Sequence, residues 1–300
     1  MAFLRRGIPG SRLAPAPRAA LAGVLASPTF ELIPLRNALD LSAALPPGST
    51  VSVTASPAKG IEATVELSLA LEAAGFRAVP HLAARQVRDR DHLSTLLGRL
   101  RDGGIDRAFV VGGDAEEPGD YADGLSLLLA IADLGFGPRE LGIGCYPQGH
   151  PVIPDDVLLR ALREKAPFAS YMTTQLCFDA PAIARFIAAR RAEGISLPVK
   201  LGIPGVAEVA KLMAISARIG VRDTRRFLMK NTRFVGQLLT SGGVYRPTGL
   251  LEALGPLMAD PRAGIIDLHL YTFNQVASTE TWRRDLLASL SEPAEAPVPA

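Results

Sequence analysis

Residues 108–145 read AFVVGGDAEEPGDYADGLSLLLAIADLGFGPRELGIGC, and this stretch decides the fold. It opens with a nearly continuous apolar run, Ala108–Gly112, and passes through an amphipathic segment, Tyr121–Leu134. It then returns to a second apolar run, Leu141–Cys145. Runs of this kind suit strands covered on both faces, because a half-exposed strand alternates apolar with polar positions. Strand, helix and strand in this order make a βαβ unit, whose two strands lie parallel.

The same alternation continues in both directions. Upstream lie strand-like runs at Phe30–Leu35, Thr50–Ala55 and Ala78–Leu82. Downstream lie Met172–Cys177, Val199–Ile203 and Ile265–Tyr271, which brings the count to eight. Helical patterns fall at Ile61–Ala74, Asp89–Arg101, Asp155–Glu164, Ala180–Ala192 and Val206–Ala217. The segment Asp89–Arg101 opens with acids and stops at Gly103-Gly104, the charge and stop signals of a helix. Between the seventh and eighth strands about 60 residues must hold at least two helices and a loop around Ser241–Thr248. Eight βα repeats argue for an α/β TIM (β/α)8 barrel over an open doubly wound sheet. The expected layout is one domain: an N-terminal arm and short helix over 1–28, the barrel over 29–291, and a disordered tail over 292–300.

Bulk properties fit this reading. The chain has 300 residues, 48% of them hydrophobic, and a mean hydropathy of +0.21; about 250 residues is typical for such a barrel. A net charge of +2 argues against a nucleic-acid groove. Only five of the 32 basic residues are lysines, a skew that reads as composition bias. Cys145 and Cys177 read as buried, reduced thiols, and with the four histidines they build no metal-ligand spacing. No apolar run is long enough for a membrane span, and a cytoplasmic location is expected. The first 30 residues hold no acid and four arginines, as a transit peptide does. Prolines at 9, 15 and 17 and a short apolar run, Ala19–Leu25, favour a loose arm followed by one short helix.

In such a barrel, function sits where strands end and loops begin. Glu31 lies within Phe-Glu-Leu-Ile-Pro-Leu, and a carboxylate in an apolar strand is costly unless paired or protonated. The bland alternative is that it starts the strand and faces water. Thr54 ends the second run, where a cap or packing role is ordinary, and His81 ends the third, where a hydrogen-bonded core histidine is ordinary. Asp114 follows Gly112-Gly113, a pair that allows a sharp turn and close approach of a flat ligand. No GxGxxG or Walker pattern accompanies it. Tyr146-Pro147-Gln148-Gly149-His150-Pro151 follows the fifth run. Gln175, read as an amide inside the sixth strand, needs partners for both its donor and its acceptor, and a pterin edge offers both. Together these polar strand ends point to an enzyme or a ligand-binding barrel.

The order of motifs resembles the methylenetetrahydrofolate reductase family. The matching stretches are Glu31 with Pro34, Ser52-Val53-Thr54, Pro80-His81-Leu82, Gly113-Asp114, and Tyr146-Pro147 with His150-Pro151. They continue with Thr174-Gln175, Phe178-Asp179, Pro204-Gly205, and His269 with Tyr271-Thr272 and Asn274. The resemblance implies reduction of 5,10-methylenetetrahydrofolate to 5-methyltetrahydrofolate with NADH or NADPH as donor. It makes Glu31 the general acid at N10 of the folate and gives Asp114 the pterin and the developing iminium. Gln175 would orient the folate or the nicotinamide, and Tyr271 would meet the substrate. Thr54, His81 and Tyr146 match positions that line the family's flavin.

The departures concern that flavin. Gly112 stands where the family carries an arginine, and counting back from Gln175 puts Glu164 and Val157 at its lysine and aspartate. A slip of one residue offers Lys165 and Asp156 instead, and Gln275 follows Asn274 where an arginine is common. Each lost charge-assisted hydrogen bond is worth about 1.5–3 kcal/mol, so FAD is expected to bind weakly or not at all. Two other readings stay open: a non-catalytic folate-binding subunit on the same barrel, and a flavin barrel oxidoreductase of another substrate class. Oligomeric state is not legible.

Overall fold

The computed structural model describes residues 13–209, 212 and 243–291. Its strands are β1 (Thr29–Leu32), β2 (Thr50–Val53), β3 (Arg77–Ala83), β4 (Arg107–Val111), β5 (Glu140–Cys145), β6 (Tyr171–Thr174), β7 (Val199–Pro204), β8 (Ala207–Glu208), β9 (Val244–Tyr245) and β10 (Ile265–Tyr271). Eight of them close into a barrel in the order β1-β10-β7-β6-β5-β4-β3-β2, and every pairing in it is parallel. Strands β8 and β9 form a separate antiparallel pair beyond β7. The closed TIM barrel expected from the sequence is therefore the fold.

The helices are α1 (Pro15–Ala26), α2 (Ala38–Ser42), α3 (Gly60–Ala73), α4 (Arg90–Asp102), α5 (Gly124–Leu134), α6 (Asp155–Lys165), α7 (Ala180–Ala192), α8 (Thr248–Ala259) and α9 (Val276–Ser291). Local chemistry accounts for their starts. Asp89, Asp123 and Asp179 each accept a backbone N–H of the first turn, so orphan donors at three helix ends are satisfied. In α4, Leu93, Leu96, Leu97 and Leu100 recur at three- and four-residue spacing, and all four are buried. Helix α1 lies against α8, α9 and β10, with Leu21 and Leu25 buried. Arg18 secures it by donating to the carbonyls of Ser289 and Leu290, and Arg283 donates to Leu25.

The bore of the barrel is unusual in content. Branched aliphatic side chains commonly fill such a bore; here Phe109, Tyr171, His81 and His269 stack through it, with ring centroids 4.8–6.5 Å apart. Glycines in the facing strands make the room. A Cβ on Gly142 would run into the rings of Phe109 and Tyr171. Below the rings, Lys200 lies 3.5 Å from Asp267 and 4.1 Å above the Tyr171 ring, and Thr29 donates to Asp267.

Some boundaries move. Strand β6 ends at Thr174, so Gln175 and Cys177 lie just past the strand and not within it. Leu176 and Phe178 continue the apolar run, but they pack with Ala207, Tyr245 and Phe273 in a small cluster of their own. The helix expected over Val206–Ala217 is replaced at its start by β8, which Val244–Tyr245 hold by pairing. Val209 and Leu212 are helical, and residues 210, 211 and 213–242, the arm over 1–12 and the tail over 292–300 lie outside the described residues. Cys145 and Cys177 are both free and buried. Among the described residues no helix is long and apolar enough to cross a membrane.

Candidate active site

In a closed parallel barrel all strands end on one rim, and of the residues singled out from the sequence Glu31, Thr54, Asp114, Tyr146, Gln175 and Tyr271 lie at or just past those ends. Glu31 sits one residue before the end of β1, paired in register with Tyr271 of β10 and Ser52 of β2. Its carboxyl is nearly enclosed, and Oε2 lies 3.1 Å from Nε2 of His269. The buried acid is thus neither stranded in apolar surroundings nor turned to water. Its backbone is held too: the Thr272 hydroxyl donates to the Glu31 carbonyl at 2.5 Å.

The segment after β10 acts as a latch on β1. Phe273 and Asn274 both adopt left-handed backbone, with φ of 51° and 60°. Asparagine tolerates that region better than most residues, and phenylalanine does not. Two bonds to Ile33 hold the conformation: the Asn274 side chain accepts from its N–H at 2.8 Å and donates to its carbonyl at 3.0 Å.

Tyr271 joins the halves of the rim. Its hydroxyl donates to the Thr174 carbonyl at 3.2 Å, and its ring meets His269 edge-on at 4.9 Å. Burial, then the charges of Glu31 and Tyr146, push its phenol well above the usual range. The Tyr146 phenol is likewise raised, by burial first and then by Cys145 and Asp114. Glu31, Tyr271, Tyr146 and Asp114 lie at or just past the ends of β1, β10, β5 and β4, on one rim of the barrel. Asp114 is exposed, on a turn where Gly113 has φ of +86°. Arg85 fixes this loop by donating to the carbonyls of Ala115 and Glu116.

Gln175 leaves β6 beside Tyr271. Its Oε1 accepts from the N–H of Leu176, so the acceptor is satisfied locally, while the NH2 group has no partner among the described residues. Thr54 is half-buried one residue past β2 and spends its carbonyl on Thr64. His81 lies deeper than a rim residue. Its ring packs on Phe109, its Nε2 is 2.8 Å from the Ser52 hydroxyl, and burial with the neighbouring His269 lowers its pKa to about 3. It is a neutral histidine of the bore.

A cleft of about 460 Å³ opens beside Tyr146 between α6 and α7. Lys165, Arg185 and Asp156 line it. The helix turns Glu164 and Val157 to solvent, so the charge loss read at those two positions belongs to a face that does not meet the cleft. Lys165 follows Leu158, Ala161 and Leu162 at helical spacing, and burial lowers its pKa. Gly112 is different: nothing lies within 4 Å of a Cβ built there, so no side chain occupies that place, and the nearby Arg85 is committed to backbone carbonyls.

Sequence reasoning took His269, Ser52 and Thr272 only as motif matches with no role of their own, and offered Lys165 only as the one-residue alternative to Glu164. The signal for His269 was available. It stands two residues before Tyr271 on one strand, so the pleat turns both into the bore.

The family model described as methylenetetrahydrofolate reductase matches residues 34–282. Among solved structures, a protein described as a deoxyribose-phosphate aldolase from Toxoplasma gondii ME49 matches at 11% identity, covering 91% of this chain and 97% of that chain, with a TM-score of 0.47. A GH18 chitinase from Cycas revoluta matches at 10% identity over 88% of this chain and 99% of that chain, with a TM-score of 0.48. Overlaps this loose carry no argument about chemistry.

Proposed function

The chain belongs to the methylenetetrahydrofolate reductase family, a folate-related one-carbon reductase family, and on that premise we propose that it reduces 5,10-methylenetetrahydrofolate to 5-methyltetrahydrofolate with NADH or NADPH. Glu31 gives its proton to N10 as the bond from N10 to the methylene carbon breaks. The electron pair of that bond stays on N10, and the carbon remains on N5 as an iminium cation. Hydride from the nicotinamide adds to that carbon to make the methyl group. Asp114 faces the cation, Gln175 presents its NH2 group to the pterin or the nicotinamide, and Tyr271 and Tyr146 form the wall. One observation carries this reading. A nearly enclosed carboxyl, held by His269, stands on the same rim as an exposed aspartate. A protein that only bound folate would have no need of that buried acid.

The family uses flavin together with nicotinamide. The residues of the β4 turn do not fit the diphosphate of FAD: Gly112 supplies no cation and Arg85 is already engaged. We therefore read the hydride as passing from the nicotinamide to the iminium directly. To the cleft lined by Lys165 and Arg185 we assign the phosphates of the donor, since two cations line it. A non-catalytic folate-binding subunit is the second reading, favoured by the same bare turn.

The test combines a spectrum with an assay. Freshly purified protein should lack the visible band of bound flavin and should oxidise NADH or NADPH with methylenetetrahydrofolate without added FAD. Stoichiometric flavin would end the direct-transfer reading. Glu31→Gln should lower kcat by about 10²–10⁴-fold, the usual contribution of a positioned acid. Full turnover in that variant would remove the acid role, and no turnover in either protein would favour the binding subunit.

A further inference from the structure

We propose that His269 is the positioning residue of the acid: its imidazole donates Nε2–H to Oε2 of Glu31 and leaves Oε1 to carry and deliver the proton. The inference rests on the reading of Glu31 as the acid.

Geometry supplies the argument. The pair is 3.1 Å apart, and the two side chains are 4% and 11% exposed. If Nε2 lacked a proton, the carboxyl would have to donate to it, and the acidic hydrogen would point into the bore, away from any substrate at the mouth. With Nε2 as donor, Oε2 accepts and the acidic hydrogen is left to Oε1, the oxygen not bonded to the imidazole. The imidazole cannot turn easily, because Tyr271 meets it edge-on at 4.9 Å and Phe109 and His81 lie at 6.5 Å. Its charged neighbours leave it one partner. Asp267, one pleat lower on the same strand, is occupied by Lys200, by the Thr29 hydroxyl and by the Leu268 N–H. His81 is tied to Ser52 and stays neutral. Glu31 is what remains for Nε2, and Thr272 fixes the backbone of Glu31 from the other side.

The experiment uses four variants of the full chain in the NAD(P)H assay: Glu31→Gln, His269→Phe, His269→Asn and His269→Gln. Phenylalanine keeps a ring and removes the donor. Asparagine keeps an amide too short to reach Oε2, whereas glutamine reaches with an N–H. His269→Phe and His269→Asn should each lower kcat about 10- to 100-fold, part of what a positioned acid supplies. The KM for the folate should stay within about two-fold, since the contact orients the acid and does not bind substrate. His269→Gln should recover most of kcat. Wild-type kcat in the phenylalanine and asparagine variants overturns the proposal, as does glutamine no better than asparagine when both are folded by circular dichroism. Should the phenylalanine variant fail to fold, the asparagine–glutamine comparison decides. If Glu31→Gln turns over normally, the acid reading itself has failed. If Glu31→Gln is inactive and the His269 variants are unimpaired, only the positioning role has.

Discussion

Asn274 holds Ile33 by both of its backbone groups, and so joins the end of the last barrel strand to the end of the first. Two residues beyond the acid, the chain is thereby pinned across the closure of the barrel. The bond pair and the left-handed backbone are separable. Asn274→Ala loses both hydrogen bonds and keeps a residue ill-suited to positive φ, and should cost about 2–3 kcal/mol. Asn274→Gly loses the bonds but accepts the backbone, and should cost about 1 kcal/mol less. Urea denaturation of the two variants measures the difference; equal stability would mean that the backbone at 274 is unstrained.

Glycines inside the bore differ sharply in what they permit. A Cβ on Gly202 would collide with the Thr174 carbonyl and the Tyr271 ring, both fixed, whereas one on Gly144 finds nothing nearer than the Tyr146 hydroxyl at 3.8 Å. Gly202→Ala should destabilise by about 3 kcal/mol or fail to fold, and Gly144→Ala should stay within about 1 kcal/mol of wild type. Thermal unfolding of both checks this. A tolerated alanine at 202 would contradict the packing of β6 against β7.

Acid should weaken the fold through His81. Its folded pKa is about 3 against 6.5 for the free side chain. Between those values the unfolded chain binds a proton that the folded chain refuses, so stability falls as pH drops through this window. The slope is that of one proton, about 1.4 kcal/mol per pH unit. In His81→Leu the slope between pH 6 and 4 (roughly the middle of that window) should be shallower by this amount. Chemical denaturation at several pH values reads it directly, and an unchanged slope would place the titration elsewhere.

Lys165 makes no ion pair among the described residues, yet lines the cleft beside Tyr146. Lys165→Met should raise the KM for the nicotinamide dinucleotide about 10- to 100-fold with little change in kcat, as expected for a lost charge-assisted bond of about 1.5–3 kcal/mol. Steady-state kinetics at fixed folate tests it. An unaltered KM would move the donor's phosphates out of this cleft.

The barrel was legible because its strands are covered on both faces and therefore write themselves as apolar runs. Ile265–Tyr271 coincides with its strand, and the others shift by a few residues. Gln175 was misplaced because Leu176 and Phe178 prolong the apolar run although a loop cluster, and not the sheet, buries them. The carboxylate at 31 was legible as an oddity in an apolar run; its contact with His269 was not. Glu31 and His269 are separated by 238 positions, and only closure of the barrel makes them neighbours. The choice between Glu164 and Lys165 needed the helix face, which a count from Gln175 cannot supply.

The two bonds from Arg85 to Ala115 and Glu116 bear on the role proposed for Asp114. A carboxylate on a wandering loop would have to be recruited at every encounter, and each encounter would carry the entropy of stilling it. Stapled from beneath by a guanidinium, this loop is already in place when the barrel closes. The guanidinium of Arg85 acts as scaffolding, so the ligand proposed for Asp114 would meet a surface shaped before it comes.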